Sequence, residues 1–234
     1  MEARAKVKRR YESPLRQGQA RNTRTAIIEA AWRLFAQQGY VATSIDEIAA
    51  AAGISRATVF TAVGGKPVLL KAAFDVAIVG DDEPVSLPER PSSRAIRAEP
   101  DPEAYLDRYA ALLAEMGGRV APIAEAVRGA AGADADARRL WEEHLAQRRQ
   151  GAANVVADLH MKGAHLRPDL DTATAADVVW VLNDPGLYHH LVLRRSWAVE
   201  RFQSWLAEAL RSQLLAEPGS AMPRGSRRPS HPDQ

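Results

Sequence analysis

The sequence predicts an all-α protein: a three-helix head with a helix-turn-helix, plus a larger helical body. Three observations carry this. Residues 43–66 set two short helical patterns around Gly53-Ile54-Ser55, the layout of a helix-turn-helix whose second helix enters the major groove. Alanine and leucine are abundant and β-branched runs are short, which favours helix almost throughout. Long stretches of helical spacing then follow the head and its Pro-rich linker.

The elements follow in order. Residues 1–22 read as a flexible basic arm. Residues 23–38 form the first helix, with Thr23 or Thr25 as cap and Ile27/Ile28, Ala31 and Leu34/Phe35 on one face. Gln38-Gly39 ends it. Ser44 caps Ile45–Ala52, and Glu47 three residues later completes a capping box. Gly53 supplies the turn, and Ser55 caps Arg56–Val63. Gly64-Gly65 breaks that helix. A fourth starts at Lys66-Pro67, with proline in its first turn, and runs to about Val79. The head domain is therefore 23–79. Prolines 84, 88, 91 and 100 make 80–100 a linker with at most a short helical turn at 92–98. The body, 101–217, has helices expected at 102–116, 120–131 and 134–161. A further helix starts at Asp171 or Thr172 and runs through Leu182, Asp184-Pro185-Gly186 interrupts it, Leu187–Leu193 continues it after a bend to give a span of 172–193, and the last helix spans about 197–215. Residues 218–234, rich in proline, serine and arginine, read as a disordered tail.

Composition narrows the function classes. The 46% hydrophobic share of 234 residues leaves room for one or two domains with real cores. There is no cysteine, which excludes disulfides and cysteine-ligated zinc. No stretch approaches the length of a membrane helix, and the charged N-terminus lacks the apolar run of a signal peptide. The expected location is the cytoplasm, with no membrane partner. The net charge of +2 is uneven: residues 1–24 carry +6 and the remainder −4. A basic end suits contact with phosphates. The arm, with Lys8, Arg9 and Arg10 at its centre, reads either as a DNA contact or as a solvated tail.

On the recognition helix, Arg56, Thr58 and Thr61 are the exposed polar candidates. Arg56 can donate a bidentate pair to guanine or simply meet phosphate, and a threonine offers a hydroxyl and a methyl to base edges. Thr43, Ser44, Ser55 and Lys66 border the turn, where helix N-termini suit a phosphate. Ser44 serves equally as a plain cap. Phe60 fits either a thymine methyl or the core. One short helix buries too little surface for selective binding, so two copies on a two-fold axis should read a palindrome with half-sites about 34 Å apart or a multiple of that.

The segment Ile27–Phe74 resembles the N-terminal domain of TetR/AcrR-type transcriptional regulators. The likeness rests on Ile27, Ala30, Ala31, Leu34, Phe35, Gly39, Tyr40, Thr43, Ile45, Ile48, Ala49, Ala52, Gly53, Ile54, Ser55, Thr58, Val59, Phe60, Lys66, Leu69 and Leu70. One departure stands out. Where the family has an aromatic-rich stretch after Val59-Phe60, this chain has Thr61-Ala62-Val63. The resemblance implies a homodimer on double-stranded DNA, a lysine at 66 beside the DNA backbone, and most often repression. It also implies a body that encloses a small molecule and shifts the heads when it binds. The last two helices of each subunit would form a four-helix bundle, with Trp205, Leu206 and Leu210 central.

Within the body, a small hydrophobic or amphipathic effector is expected among Tyr105, Tyr109, Met116, Trp141, His144, Leu145, Trp180, Asn183 and Tyr188. Apolar walls with a few polar groups make such a site. No cofactor or metal is expected, and no enzyme. The chain has no G-x-S-x-G elbow, no P-loop and no cysteine nucleophile. His189-His190 cannot share one helical face. The rival reading is a helix-turn-helix protein without an effector, acting as an activator or architectural factor.

Overall fold

The computed structural model describes residues 14–216, and among these ten helices and a few short turns account for the fold. Helix α1 spans Pro14–Ala42 with a break at Gly39, whose φ of 82° and ψ of 166° are non-helical, as Gln38-Gly39 predicts; α2 spans Ile45–Ala51, α3 Arg56–Ala62 and α4 Lys66–Val79. Helix α5 spans Pro91–Ala98, α6 Pro102–Ala130 and α7 Ala135–Met161. Helix α8 spans Thr172–Leu182, α9 Pro185–Tyr188 and α10 Val199–Leu214. A π-helical segment, His189–Arg194, links the last two. No described helix is long and apolar enough to cross a membrane.

Two apolar cores lie end to end along α6. The first joins Ile27, Phe35, Ile48, Val59, Leu70 and Phe74 of the head to Ile123, Val127 and Leu140 of the body. The second gathers Leu106, Val156, Leu159, Val179, Phe202, Leu206 and Leu210. Helix α4 seats the head on the body: Leu69, Leu70 and Phe74 are buried in the head core, and Phe74 meets the His144 ring edge-on at 4.7 Å. Two polar contacts reinforce the joint. Trp32 Nε1 donates to the Arg119 carbonyl at 2.9 Å, and Arg119 Nε donates to the Ala77 carbonyl near the end of α4 at 3.3 Å.

Three boundaries differ from the sequence reading. Helix α1 begins at Pro14, so the second half of the expected flexible arm is helical. Proline can open a helix because its missing N–H would be unsatisfied there anyway. The basic residues Lys8, Arg9 and Arg10 and the tail 218–234 lie outside the described residues. The expected break at 117–119 is absent: α6 runs unbroken to Ala130, with Pro122 inside it. Packing explains why glycine stands at 117. A Cβ there would meet the Tyr188 ring at 2.2 Å, so glycine admits a close helix contact rather than a turn. The final helix begins at Val199, two residues late.

Candidate nucleic-acid interface and body cavity

The helix-turn-helix forms as its sequence dictates. Ser44 caps α2: Glu47 N donates to Ser44 Oγ at 3.2 Å, and Ser44 N donates to Glu47 Oε2 at 2.7 Å. The bond from Ser44 N, and a second from Ser44 Oγ to the same Oε2 at 2.8 Å, hold the Glu47 carboxyl below its usual range. Gly53 takes φ 69°, the left-handed conformation the tight turn requires. Ser55 caps α3, accepting from Thr58 N at 3.1 Å. Ile48, Ala49 and Val59 fix the two short helices on α1 and α4. Ser44→Ala is expected to cost about 1 kcal/mol of stability, because it removes an N-cap. Thermal unfolding of the variant checks it, and an unchanged midpoint would contradict a working capping box.

The candidate contact residues divide into outward and inward groups. Arg56 and Phe60 face outward on α3, Phe60 45% exposed, and the guanidinium sits 5.5 Å from the ring centroid. The core alternative for Phe60 is thereby set aside. Arg56 Nη1 is paired with Asp46 Oδ2 at 2.6 Å. Both side chains are more than half exposed, so this pair holds the guanidinium only weakly. Thr61 is outward, but its hydroxyl donates back to the Ala57 and Thr58 carbonyls at 3.1 Å. Thr58 is half-buried, its hydroxyl 2.8 Å from that of Ser55. Thr43 is a correction: it is 1% exposed and donates to the Gly39 carbonyl at 2.8 Å. Its side chain closes the α1–α2 turn and cannot reach a phosphate.

Lys66 is held in place. Its Nζ lies 4.4 Å from the centroid of the Tyr40 ring and donates to the Val41 carbonyl at 3.2 Å. Partial burial lowers the lysine's pKa. Burial, with Asp134 and Asp136 nearby, pushes the Tyr40 hydroxyl up to about 12, so that ring is a neutral platform. The last residue of α3 is braced from behind. Arg24 donates to the Ala62 carbonyl at 3.4 Å and pairs with Asp82 of the linker at 2.6 Å.

A cavity of about 700 Å³ lies between α4, the linker, α6, α7 and α9–α10. That is ordinary for a site holding a small molecule, where about 300–1,000 Å³ is typical. Of the residues expected to bind a ligand, Tyr109, Met116, His144, Asn183 and Tyr188 line it. The other four are corrections. Tyr105 is 2% exposed in the second core, where its hydroxyl donates to Asp158 at 2.9 Å. Burial, with Asp158 beside it, raises that tyrosine's pKa. Trp141 packs on the first core. Leu145 is half-buried and does not line the cavity. Trp180 carries Arg148 and Arg149 over its ring at 5.5 and 5.1 Å.

The cavity's polar centre is Arg148. It donates to Asn183 Oδ1 at 3.1 and 2.9 Å, to Asp184 Oδ2 at 2.9 Å and to the Trp180 carbonyl at 2.7 Å. Asn183 in turn donates to the Tyr109 hydroxyl at 3.2 Å. The sequence reading missed Arg148, although a signal was present. Leu140, His144, Arg148 and Ala152 repeat every four residues, so the arginine falls on the buried stripe of α7. His144 Nε2 is buried without a hydrogen-bond partner. Burial first, then nearby Arg148, lowers the His144 pKa to about 4.

The expected dimer contacts are also revised. Leu206 and Leu210 are 1% and 0% exposed within one chain. They fill their own core and cannot meet a partner, while Trp205 is half-buried at the surface. Among the described residues no cluster of acidic, histidine or cysteine side chains could hold a metal ion.

Comparison with known proteins agrees with this geometry. Residues 27–73 match the model of the bacterial regulatory proteins of the tetR family. No curated protein sequence matches the chain. Among solved structures, a putative transcriptional regulator from Saccharomonospora viridis, in complex with choline, is similar at 22% identity and a TM-score of 0.65. It covers 84% of this chain and 99% of its own. A putative TetR-family regulator from a Rhodococcus species is similar at 20% identity and a TM-score of 0.61, covering 82% and 98%. The regulator FadR from Bacillus subtilis, in complex with stearoyl-CoA, is similar at 18% identity and a TM-score of 0.62, covering 80% and 97%. At these identities the likeness is one of fold.

Proposed function

We propose that this chain, whose residues 27–73 match the tetR family of bacterial regulatory proteins, is a homodimeric repressor that a small molecule releases from a palindromic operator. The observation that carries this reading is the double membership of α4. Its Leu69, Leu70 and Phe74 complete the core that positions α3, and its Asp75, Ile78 and Val79 line the cavity. A molecule that enlarges or fills the cavity acts directly on the helix that holds the head. A ligand that prefers one placement of α4 shifts the population towards it.

In the bound complex α3 lies in the major groove, Arg56 exchanging Asp46 for a guanine edge and Phe60 meeting a sugar or thymine methyl. Lys66, on its tyrosine platform, meets the backbone, and the N-termini of α2 and α3 add their free N–H groups. The second subunit supplies the second half-site. Its contact is assigned to the outer faces of α8 and α10, where Val181 is 56% exposed and Trp205 is half-buried.

Titration of duplex variants tests the division of labour. Arg56→Ala is expected to cost about 1–3 kcal/mol and to relax preference at one base pair. Lys66→Ala is expected to weaken binding equally on all duplexes and to reduce the salt slope by about one. Loss of the same size on every duplex for Arg56→Ala would make it a phosphate contact. No binding of wild type to any duplex would overturn the regulatory reading.

A further inference from the structure

The cavity lining separates by chemistry. Leu112, Leu113 and Met116 of α6 and Phe202 of α10 form one apolar face. Gln147, Gln150 and Asn154 of α7 form an amide row opposite, with Gln150 Nε2 donating to Asn154 Oδ1 at 3.0 Å. Among the described lining residues Arg148 is the one lysine or arginine. Four of its five N–H groups donate to Asn183, Asp184 and the Trp180 carbonyl, its charge is balanced by Asp184, and its side chain is only 8% exposed. His144 is neutral at pH 7. The remaining carboxylates, Asp75 and Glu83, are paired outside the cavity centre with Lys71 at 2.9 Å and Arg21 at 3.6 Å.

A carboxylate carried past the exposed amide row to the buried His144 and Arg148 loses its water and finds no available cation, and an unpaired charge out of water is costly. A cation fares no better: Asp184 is already neutralised, and Arg148 repels it. An uncharged molecule pays neither penalty and can use both faces. We propose that the cavity takes an uncharged amphipathic molecule, its apolar part against α6 and α10 and its hydrogen-bonding group on the amide row of α7, and that it rejects carboxylates. This rests on the reading of the cavity as the effector site.

Three probes of equal chain length test it on the full protein: decanol, decanoate and decyltrimethylammonium, each below its micelle-forming concentration at pH 7.5. Thermal shift reports binding, and release of bound DNA reports the consequence. Decanol is expected to raise the melting temperature and to displace DNA, with Kd about tenfold or more below that of either charged probe. A second variant provides a gain. Gln147 is exposed enough to accept Arg, and Gln147→Arg is expected to improve decanoate binding about tenfold. Decanoate or the ammonium binding wild type as tightly as decanol would overturn the proposal. So would the failure of all three to bind a protein that still binds DNA. Loss of DNA binding would fail the regulatory reading separately, and the three-probe series would still judge the cavity.

Discussion

Leu210→Asp is expected to unfold the body rather than to split a dimer into folded monomers. Leu210 is fully buried among Leu206, Phe202 and Val179 within one chain. The substitution removes a packed side chain and leaves a carboxylate without a partner. Each of these is costly, and together they should exceed about 4 kcal/mol. Whole-domain stability is typically about 5–15 kcal/mol, so most of the margin would go. Circular dichroism and thermal unfolding check this. The companion variant is Val181→Asp, on the outer face of α8. It should keep its helix content and melting temperature in the monomer while light scattering shows weakened dimerisation. A folded, monomeric Leu210→Asp would contradict the packing described.

Stability should fall in mild acid, and His144 should account for a large share of the fall. Its folded pKa, about 4, lies below the unfolded value near 6.5. The unfolded chain therefore binds the extra proton first, and stability drops as pH falls from about 6.5 towards 4. Above 6.5 the contribution is fully present. The shift corresponds to roughly 3 kcal/mol across that window. Burial is the main cause, with Arg148 adding repulsion and Asp184 opposing it. His144→Leu removes the titrating group and its unpartnered Nε2. Urea unfolding of both proteins at pH 7.5 and 4.5 should show a much smaller drop in the variant. Equal drops would place the acid sensitivity elsewhere.

The head was legible because its signals are local. A cap, a capping box and one glycine with positive φ fix α2, the turn and α3 within about twenty residues, and the structure shows each of them. The body was legible only as helices. Leu206 and Leu210 show the reason: helical spacing identifies an apolar face but not whether it meets its own chain or another. Gly117-Gly118 shows a second limit. A glycine pair reads as a break until the Tyr188 ring that needs the space is in view. Helix membership alone places Tyr105, Trp141, Leu145 and Trp180 with the cavity, and only packing separates a core side chain from a lining one. Arg148 was recoverable from its four-residue register with Leu140, His144 and Ala152, but its partners Asn183 and Asp184 lie on another helix end.

The central claim is that α3 reads DNA for a chain regulated through α4. Its most direct test is selection of duplexes from a random pool by the full-length protein, followed by titration of the selected sequence with wild type and with the double variant Arg56→Ala/Phe60→Ala. Both side chains are exposed, so the variant should fold and dimerise as wild type does. The expected result is a palindromic sequence with half-sites about one helical turn or a multiple apart, bound by wild type and lost by the double variant down to its level on random duplex. Enrichment of no sequence, or equal binding of the selected duplex by the double variant, would contradict it.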